Sequence, residues 1–233
     1  MSILTKLKSE LKSNANPEKA KVLQGFFKTG KGQYGEGDIF LGITVPKQRK
    51  IAKEFYDLKL NDVLQLLKSP IHEERLTSLL ILVDRYEKTN DHRFVKFYLK
   101  NAKYVNNWDL VDLSAPKILG SYLLNLKNRK ILYTLARSNN LWEKRISIIS
   151  TFALIRDNQL DDTLKISKIL LNDTHDLTHK AVGWMLREVG KRDEKLLIKF
   201  LKENYDDLPR TTLRYAIEKF DEKRRKGMLK GRF

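Results

Sequence analysis

"LLKSPIHEERLTSLLILVDRY", residues 66–86, decides what kind of fold this chain adopts. Its apolar residues return at intervals of three and four, as Leu76, Leu79, Leu80 and Val83 do, with no strict alternation of apolar and polar. That period gathers side chains onto one stripe of a helix, whereas a half-buried strand needs a period of two. The pattern continues outward: "RFVKFYLKNA" (93–102), "KRISIISTFALI" (144–155), "LKISKILL" (164–171), "HKAVGWMLREVG" (179–190) and "KLLIKFLKENY" (195–205) each read as a helix with one buried stripe. Pro17 after Asn16, and Pro46 shortly after Thr44, mark helix starts, because an orphan N–H is lost there at no cost. The expectation is all-α, with roughly a dozen helices and no sheet.

Longer apolar helices follow shorter ones at a steady interval. Basic residues take comparable places in several of them: Arg75 in "EERLTSLL", Arg145 in "EKRISIIS", Lys180 in "THKAVGWM" and Arg214 in "TLRYAIEK". The last three are 35 and 34 residues apart, and Arg75 to Arg145 spans 70, two such steps. The skipped step holds an acid, Asp112, 37 residues after Arg75 and 33 before Arg145. A helix pair recurring at this length predicts an α-solenoid of HEAT-like repeats, whose equivalent positions form a row along a concave face. The row reads Arg, Asp, Arg, Lys, Arg: a basic groove interrupted by one carboxylate. Taken singly, the same residues are ordinary solvated helix charges. One domain is expected over 1–233: a helical pair and Gly-rich loop over 1–45, helical repeats over 46–220, and a basic tail over 221–233 expected to fray.

The chain carries 46 Lys and Arg against 29 Asp and Glu, a formal net charge of +17. Such a surplus attracts polyanions, nucleic acid first among them, although a soluble protein can be merely basic. There is no cysteine, which excludes disulfides, thiol nucleophiles and thiolate zinc sites. The N-terminus reads as an amphipathic helix rather than a signal core, and no run approaches the ~18 apolar residues of a membrane span. A cytoplasmic monomer without membrane contact is expected.

"TGKGQYGEGD" (29–38) contains Gly30, Gly32 and Gly35 at the dinucleotide-fingerprint spacing, but no strand precedes it and no βαβ unit surrounds it. It is expected to be a flexible connecting loop. In "NNWDLVDLSAP" (106–116) Trp108 and Asp112 are four apart and share a helix face, while Asp109 points elsewhere and complements the first-turn dipole. Asn106 or Asn107 caps that helix. Trp142 is expected in the core, and Trp108 and Trp184 partly exposed. Trp184 follows Lys180 by four and precedes Arg187 by three, so a basic groove would carry an indole beside its charges. His175 and His179 are also four apart, but the glutamate of a zinc-protease helix is missing; they are expected on the helix surface, with no metal and no cofactor.

Four segments taken together, "FLGITVPKQR" (40–49), "NNWDLVDLSAP", "LWEKRISIIS" (141–150) and "HKAVGWMLREVGK" (179–191), resemble in order and spacing the motifs of the AlkD-type DNA alkylation-repair proteins. The resemblance runs over nearly the whole chain. It implies a HEAT-like solenoid that binds duplex DNA in a basic groove, and a monofunctional glycosylase that releases N3- and N7-alkylated purines. It implies Trp108, Asp112 and Trp184 around the lesion's deoxyribose as catalytic residues, and Arg145 on backbone phosphate. Lys180, Arg75 and Arg214 of the groove row, and Arg187 beside Trp184, are the further DNA-binding candidates. Active relatives present an aromatic side chain from the second N-terminal helix; here Phe26, Phe27 and Tyr34 are the candidates. The alternatives are a non-enzymatic solenoid that binds branched or damaged DNA, and a protein-interaction scaffold.

Overall fold

A computed structural model describes residues 1–233. The fold is the all-α helical-repeat class expected from the periodicity, and its single β feature is an isolated bridge between Ile39 and Ile71. No helix is long and apolar enough to cross a membrane. The chain divides into two compact units, 1–114 and 115–233.

The first unit holds α1 (Ile3–Ser13), α2 (Pro17–Phe26), α3 (Val45–Glu54), α4 (Leu60–Leu67), α5 (His72–Thr89), α6 (His92–Lys100) and α7 (Trp108–Ser114). Asn16 caps α2 by accepting from the Lys19 N–H at 3.0 Å, with Pro17 at the first helical position. The α5 helix is the spine against which α1, α3, α4, α6 and α7 pack. Its middle buries Leu76, Leu79, Leu80, Ile81, Leu82 and Val83. Its first turn is unusual, because His72, Glu73, Glu74 and Arg75 are all buried. Burying four consecutive ionisable groups is tolerable only if each is paired. Glu74 takes Lys8 of α1 at 2.9 Å. The Glu73 carboxylate accepts the backbone N–H groups of Leu41, Gly42 and Ile43 at 2.9, 2.8 and 3.2 Å, pinning the segment that enters α3. Gly42 has φ +83°, and a Cβ there would lie 2.1 Å from the Asn16 carbonyl oxygen, so only glycine fits under the start of α2.

The second unit opens with a π-turn over Pro116–Gly120. It then holds α8 (Ser121–Leu123), α9 (Lys130–Ala136), α10 (Leu141–Arg156), α11 (Asp161–Leu170), α12 (Asp176–Gly190), α13 (Glu194–Glu203), α14 (Arg210–Ala216) and α15 (Glu222–Met228). Helix α10 packs on α9, α11 and α12, and α12 on α13 and α14. Gly183 sets the α12–α14 approach: a Cβ there would meet Tyr215 Cβ at 2.5 Å and the Thr212 carbonyl oxygen at 2.6 Å. The basic C-terminus does not fray as expected. It forms α15, and the Leu229 carbonyl accepts from the Tyr205 hydroxyl at 3.1 Å and from Arg210 at 2.7 Å. The sequence period has a structural counterpart in register. Asp112, Arg145, Lys180 and Arg214 are each the fifth residue of their helices, and Arg75 is the fourth of its own.

Candidate active site

Asn107 organises the start of α7. Its backbone carbonyl accepts from the Val111 N–H at 3.2 Å, its side-chain oxygen from the Trp108 N–H at 2.8 Å, and its amide donates to Asp38 at 3.1 Å. The cap is thereby fastened both to its helix and to the end of the Gly-rich loop. Trp108, part-exposed as expected, is held by two phenylalanines: Phe27 stacks on it at 5.0 Å and 11°, and Phe26 meets it edge-on at 5.9 Å and 73°. Phe27 is buried and stacks in turn on Phe40 at 4.9 Å, while Phe26 is 62% exposed. Of the three aromatic candidates near the N-terminus, Phe26 is thus the one presented outward beside the indole.

These rings wall a cavity of about 490 Å³ bounded by α2, α3, α5 and α7, and Asp112 lines it. The carboxylate is part-exposed, one turn below Trp108, and most of the surface around it is apolar. A carboxylate at an apolar cavity acts more strongly on nearby positive charge than one in bulk water, because less solvent screens it. Gln48 closes the α3 side. Its amide donates to the Ile43 carbonyl at 2.8 Å and its Oε1 has no partner.

Behind the rings lies a buried ionic cluster. His72 Nε2 is 2.8 Å from Asp109 Oδ2 and its Nδ1 is 3.2 Å from Asp38 Oδ2. Arg75 donates to the same Asp38 oxygen at 2.6 Å and to the Ser69 carbonyl at 2.9 Å. Burial alone would lower the His72 pKa, but the hydrogen bonds to Asp109 and Asp38 outweigh it and hold the imidazole above its ordinary value. Burial alone would raise that of Asp38; the His72 bond, the Arg75 charge and the Asn107 amide together hold it below the usual carboxylate range. Sequence reading missed this cluster and gave Asp109 to the helix dipole. The available signal was "HEER" at the head of an apolar helix. Four consecutive residues point all round a helix, so some of them had to face inward.

Arg75 needs correction as a phosphate ligand. It is 3% exposed and its guanidinium is committed to Asp38 and the Ser69 carbonyl, so it faces the interior of its unit. The loop over 29–38 is likewise more than a connector, because its last residue, Asp38, is buried in the cluster.

In the second unit, Trp184 is part-exposed on α12; its indole N–H donates to Glu188 at 3.2 Å and its ring lies 5.9 Å from Phe152. Trp142 is in the core as expected. Arg145 is 5% exposed, with one guanidinium nitrogen on the Leu177 carbonyl at 2.9 Å. Lys180 pairs with Asp176 at 2.7 Å, Arg187 pairs with Glu218, and Arg214 is exposed on α14. His175 caps α12, accepting the Leu177 N–H at 3.1 Å, and His179 bonds the Asp173 carbonyl.

The family model described as DNA alkylation repair enzyme matches residues 7–220. Among solved structures, a predicted DNA alkylation repair enzyme from Enterococcus faecalis is similar in fold. Its TM-score is 0.70 at 20% identity, covering 90% of this chain and 98% of that one. No curated protein sequence matches.

Proposed function

This chain belongs to the DNA alkylation repair enzyme family, and from that premise we propose that it is a monofunctional DNA glycosylase that hydrolyses the N-glycosidic bond of N3- and N7-alkylated purines in duplex DNA. Alkylation at either nitrogen places a positive charge on the base. When the C1′–N bond breaks, its electron pair neutralises the departing purine, so no general acid is needed. The sugar is left with oxocarbenium character, as in other glycosyl transfers. Water then adds at C1′ and loses a proton, leaving an abasic site.

The observation that carries this reading is Asp112 standing one turn from Trp108 in a ring-walled cavity, with Phe26 exposed alongside. The carboxylate stabilises the developing charge on the sugar and orients the attacking water. The indole face favours the same cation, and the rings around it exclude bulk water. The family resemblance adds Trp184 as a second indole and Arg145 on backbone phosphate, where a side chain this buried reaches DNA only by leaving the Leu177 carbonyl. Lys180, Arg187 and Arg214 contribute further phosphate contacts, Lys180 and Arg187 exchanging their present carboxylate partners for DNA. Because these charges displace counterions from DNA, affinity falls with salt. No cofactor enters the reaction, and the chain acts as a monomer.

The test is release of 7-methylguanine from methylated duplex by wild type and by Asp112→Asn. The expected result is release by the wild type, and loss of release in the variant with DNA affinity equal or higher, since a like charge facing phosphate is removed. Release at the wild-type rate by Asp112→Asn would remove Asp112 from the chemistry. No release by the wild type, with duplex binding intact, would make the chain a non-enzymatic DNA-binding protein instead.

A further inference from the structure

The most concentrated chemistry outside the proposed catalytic pair is the cluster of His72, Asp38, Asp109, Arg75 and Asn107. Three of its features go beyond stability. First, both ring nitrogens of His72 face carboxylate oxygens, at 2.8 and 3.2 Å. A neutral imidazole has one donor and one lone pair, so it can satisfy only one of them. Donation to both carboxylates needs the imidazolium; the neutral form would keep Asp109 alone and turn its Nδ1 lone pair to Arg75, whose guanidinium lies 3.4 Å away. Second, the two carboxylates belong to different pieces of chain. Asp38 ends the Gly-rich loop, and Asp109 is the second residue of α7, directly after Trp108. Third, the His72 ring lies 4.4 Å from Phe40 and 5.0 Å from Phe27, and Phe27 is the ring stacked on Trp108. One ring therefore separates the imidazole from the indole.

We infer that His72, as an imidazolium, is a positioning residue for excision: it clamps the end of the Gly-rich loop to the first turn of α7, and so fixes Trp108, and Asp112 one turn beyond it, in the geometry the reaction needs. The inference rests on the glycosylase reading for its effect on rate, but not for the coupling of His72 to Trp108. The charges around the ring support it. Asp38 and Asp109 are balanced by His72 and Arg75. On its own helix, Glu73 is occupied by the backbone N–H groups of Leu41, Gly42 and Ile43. Glu74 is paired with Lys8 of α1. Lys19 of α2, the neutral Gln48 of α3 and Asp112 of α7 line the adjoining cavity. The groups that act on the His72 proton are Asp109 and Asp38, which hold it, and Arg75, which opposes it. Loss of that proton leaves one carboxylate facing a lone pair. Asp38 keeps Arg75 and Asn107, and Asp109 keeps the Leu110 N–H, so the cluster loosens at the ring rather than collapsing.

The experiment is a pH titration of the full chain with isotope-labelled histidine and tryptophan, followed by NMR from about pH 6 to about pH 10, around and above the ordinary imidazole value. Single-turnover base release is measured alongside it. The Trp108 indole N–H signal is identified by its loss in Trp108→Phe. The expected result is that His72 stays protonated at neutral pH, that the Trp108 signal moves with the His72 transition, and that the excision rate falls through the same transition. In His72→Gln the rate falls about tenfold to a hundredfold, DNA affinity stays within a factor of about two, and the alkaline fall disappears. A Trp108 signal that stays fixed while His72 titrates overturns the inference, as does a His72 ring that is neutral at neutral pH. An excision rate that is indifferent to the His72 transition also overturns it. If the wild type releases no base at all, the glycosylase reading fails, while the NMR coupling still decides whether His72 positions Trp108.

Discussion

Glu73→Gln tests the claim that buried charge at the head of α5 shapes the site. The side chains have the same size, so the change removes a charge and converts one acceptor into a donor. In the native protein Oε1 accepts from Gly42 and Ile43 at 2.8 and 3.2 Å, and Oε2 from Leu41 at 2.9 Å. A glutamine oxygen can keep the first two, but its NH2 then faces the Leu41 N–H, donor against donor. An unsatisfied buried donor costs about 1–3 kcal/mol, and the two remaining bonds lose their charge assistance at about 1 kcal/mol each. The sum is about 4 kcal/mol. In a chain of this length each kcal/mol moves Tm by about 2–4 °C, so the Tm of the chain should fall by about 8–16 °C. Calorimetry at neutral pH measures it, with Glu54→Gln at the exposed end of α3 as the control. A fall under about 2 °C would mean that Glu73 does not hold the 41–43 segment.

Three further outcomes follow from the same geometry. Gly183→Ala raises helix propensity by about 1 kcal/mol yet should destabilise by a net ~1–3 kcal/mol, because its Cβ would strike α14; an unchanged or higher Tm refutes the close approach. Arg145→Ala and Arg214→Ala should each weaken duplex binding and reduce the slope of log K against log salt by about 0.9, one phosphate contact apiece; an unchanged slope removes that residue from the DNA contact. Stability should fall away on both sides of neutrality. His72 has a raised pKa, so its contribution is complete below about pH 6.5 and is lost as pH rises through the folded value; Asp38 has a lowered one, so its contribution is complete above about pH 4 and is lost as pH falls through the folded value. Denaturant titrations across pH should show both limbs, with the alkaline one missing in His72→Gln; an alkaline limb that survives in that variant would refute the assignment to His72.

The fold was legible because burial and periodicity are the same information. A stripe at three and four spacing states which side of a helix meets its neighbour, and Pro17 and Pro46 state where helices begin. The register was legible too, since an array of similar helix pairs must bring equivalent residues to equivalent places. Burial was less so. Arg75 and Arg214 occupy matching steps of the sequence period, yet one is sealed inside its unit and the other is exposed. Which way a long side chain turns depends on whether the neighbouring chain offers it a carboxylate. Asp38, 37 residues before Arg75 at the end of a glycine loop, is not a partner that helix periodicity can find.

The two acids of α7 show where sequence reading stops and why structure adds more than confirmation. Asp109 and Asp112 are three residues apart on a short helix, both carboxylates, both near Trp108, and both lining the same cavity. Helical spacing separates them only weakly. The hydrogen bonds of Asp109 assign it a place: one oxygen is bound to His72 and the other to the Leu110 N–H, so it is committed within the protein before any ligand arrives. A carboxylate held that way fixes the helix that carries it and has little field left for a cation outside. The commitment of Asp109 to His72 gives it the anchoring of α7, and the stabilisation of a cationic sugar is proposed for Asp112 on its place in the cavity one turn from Trp108.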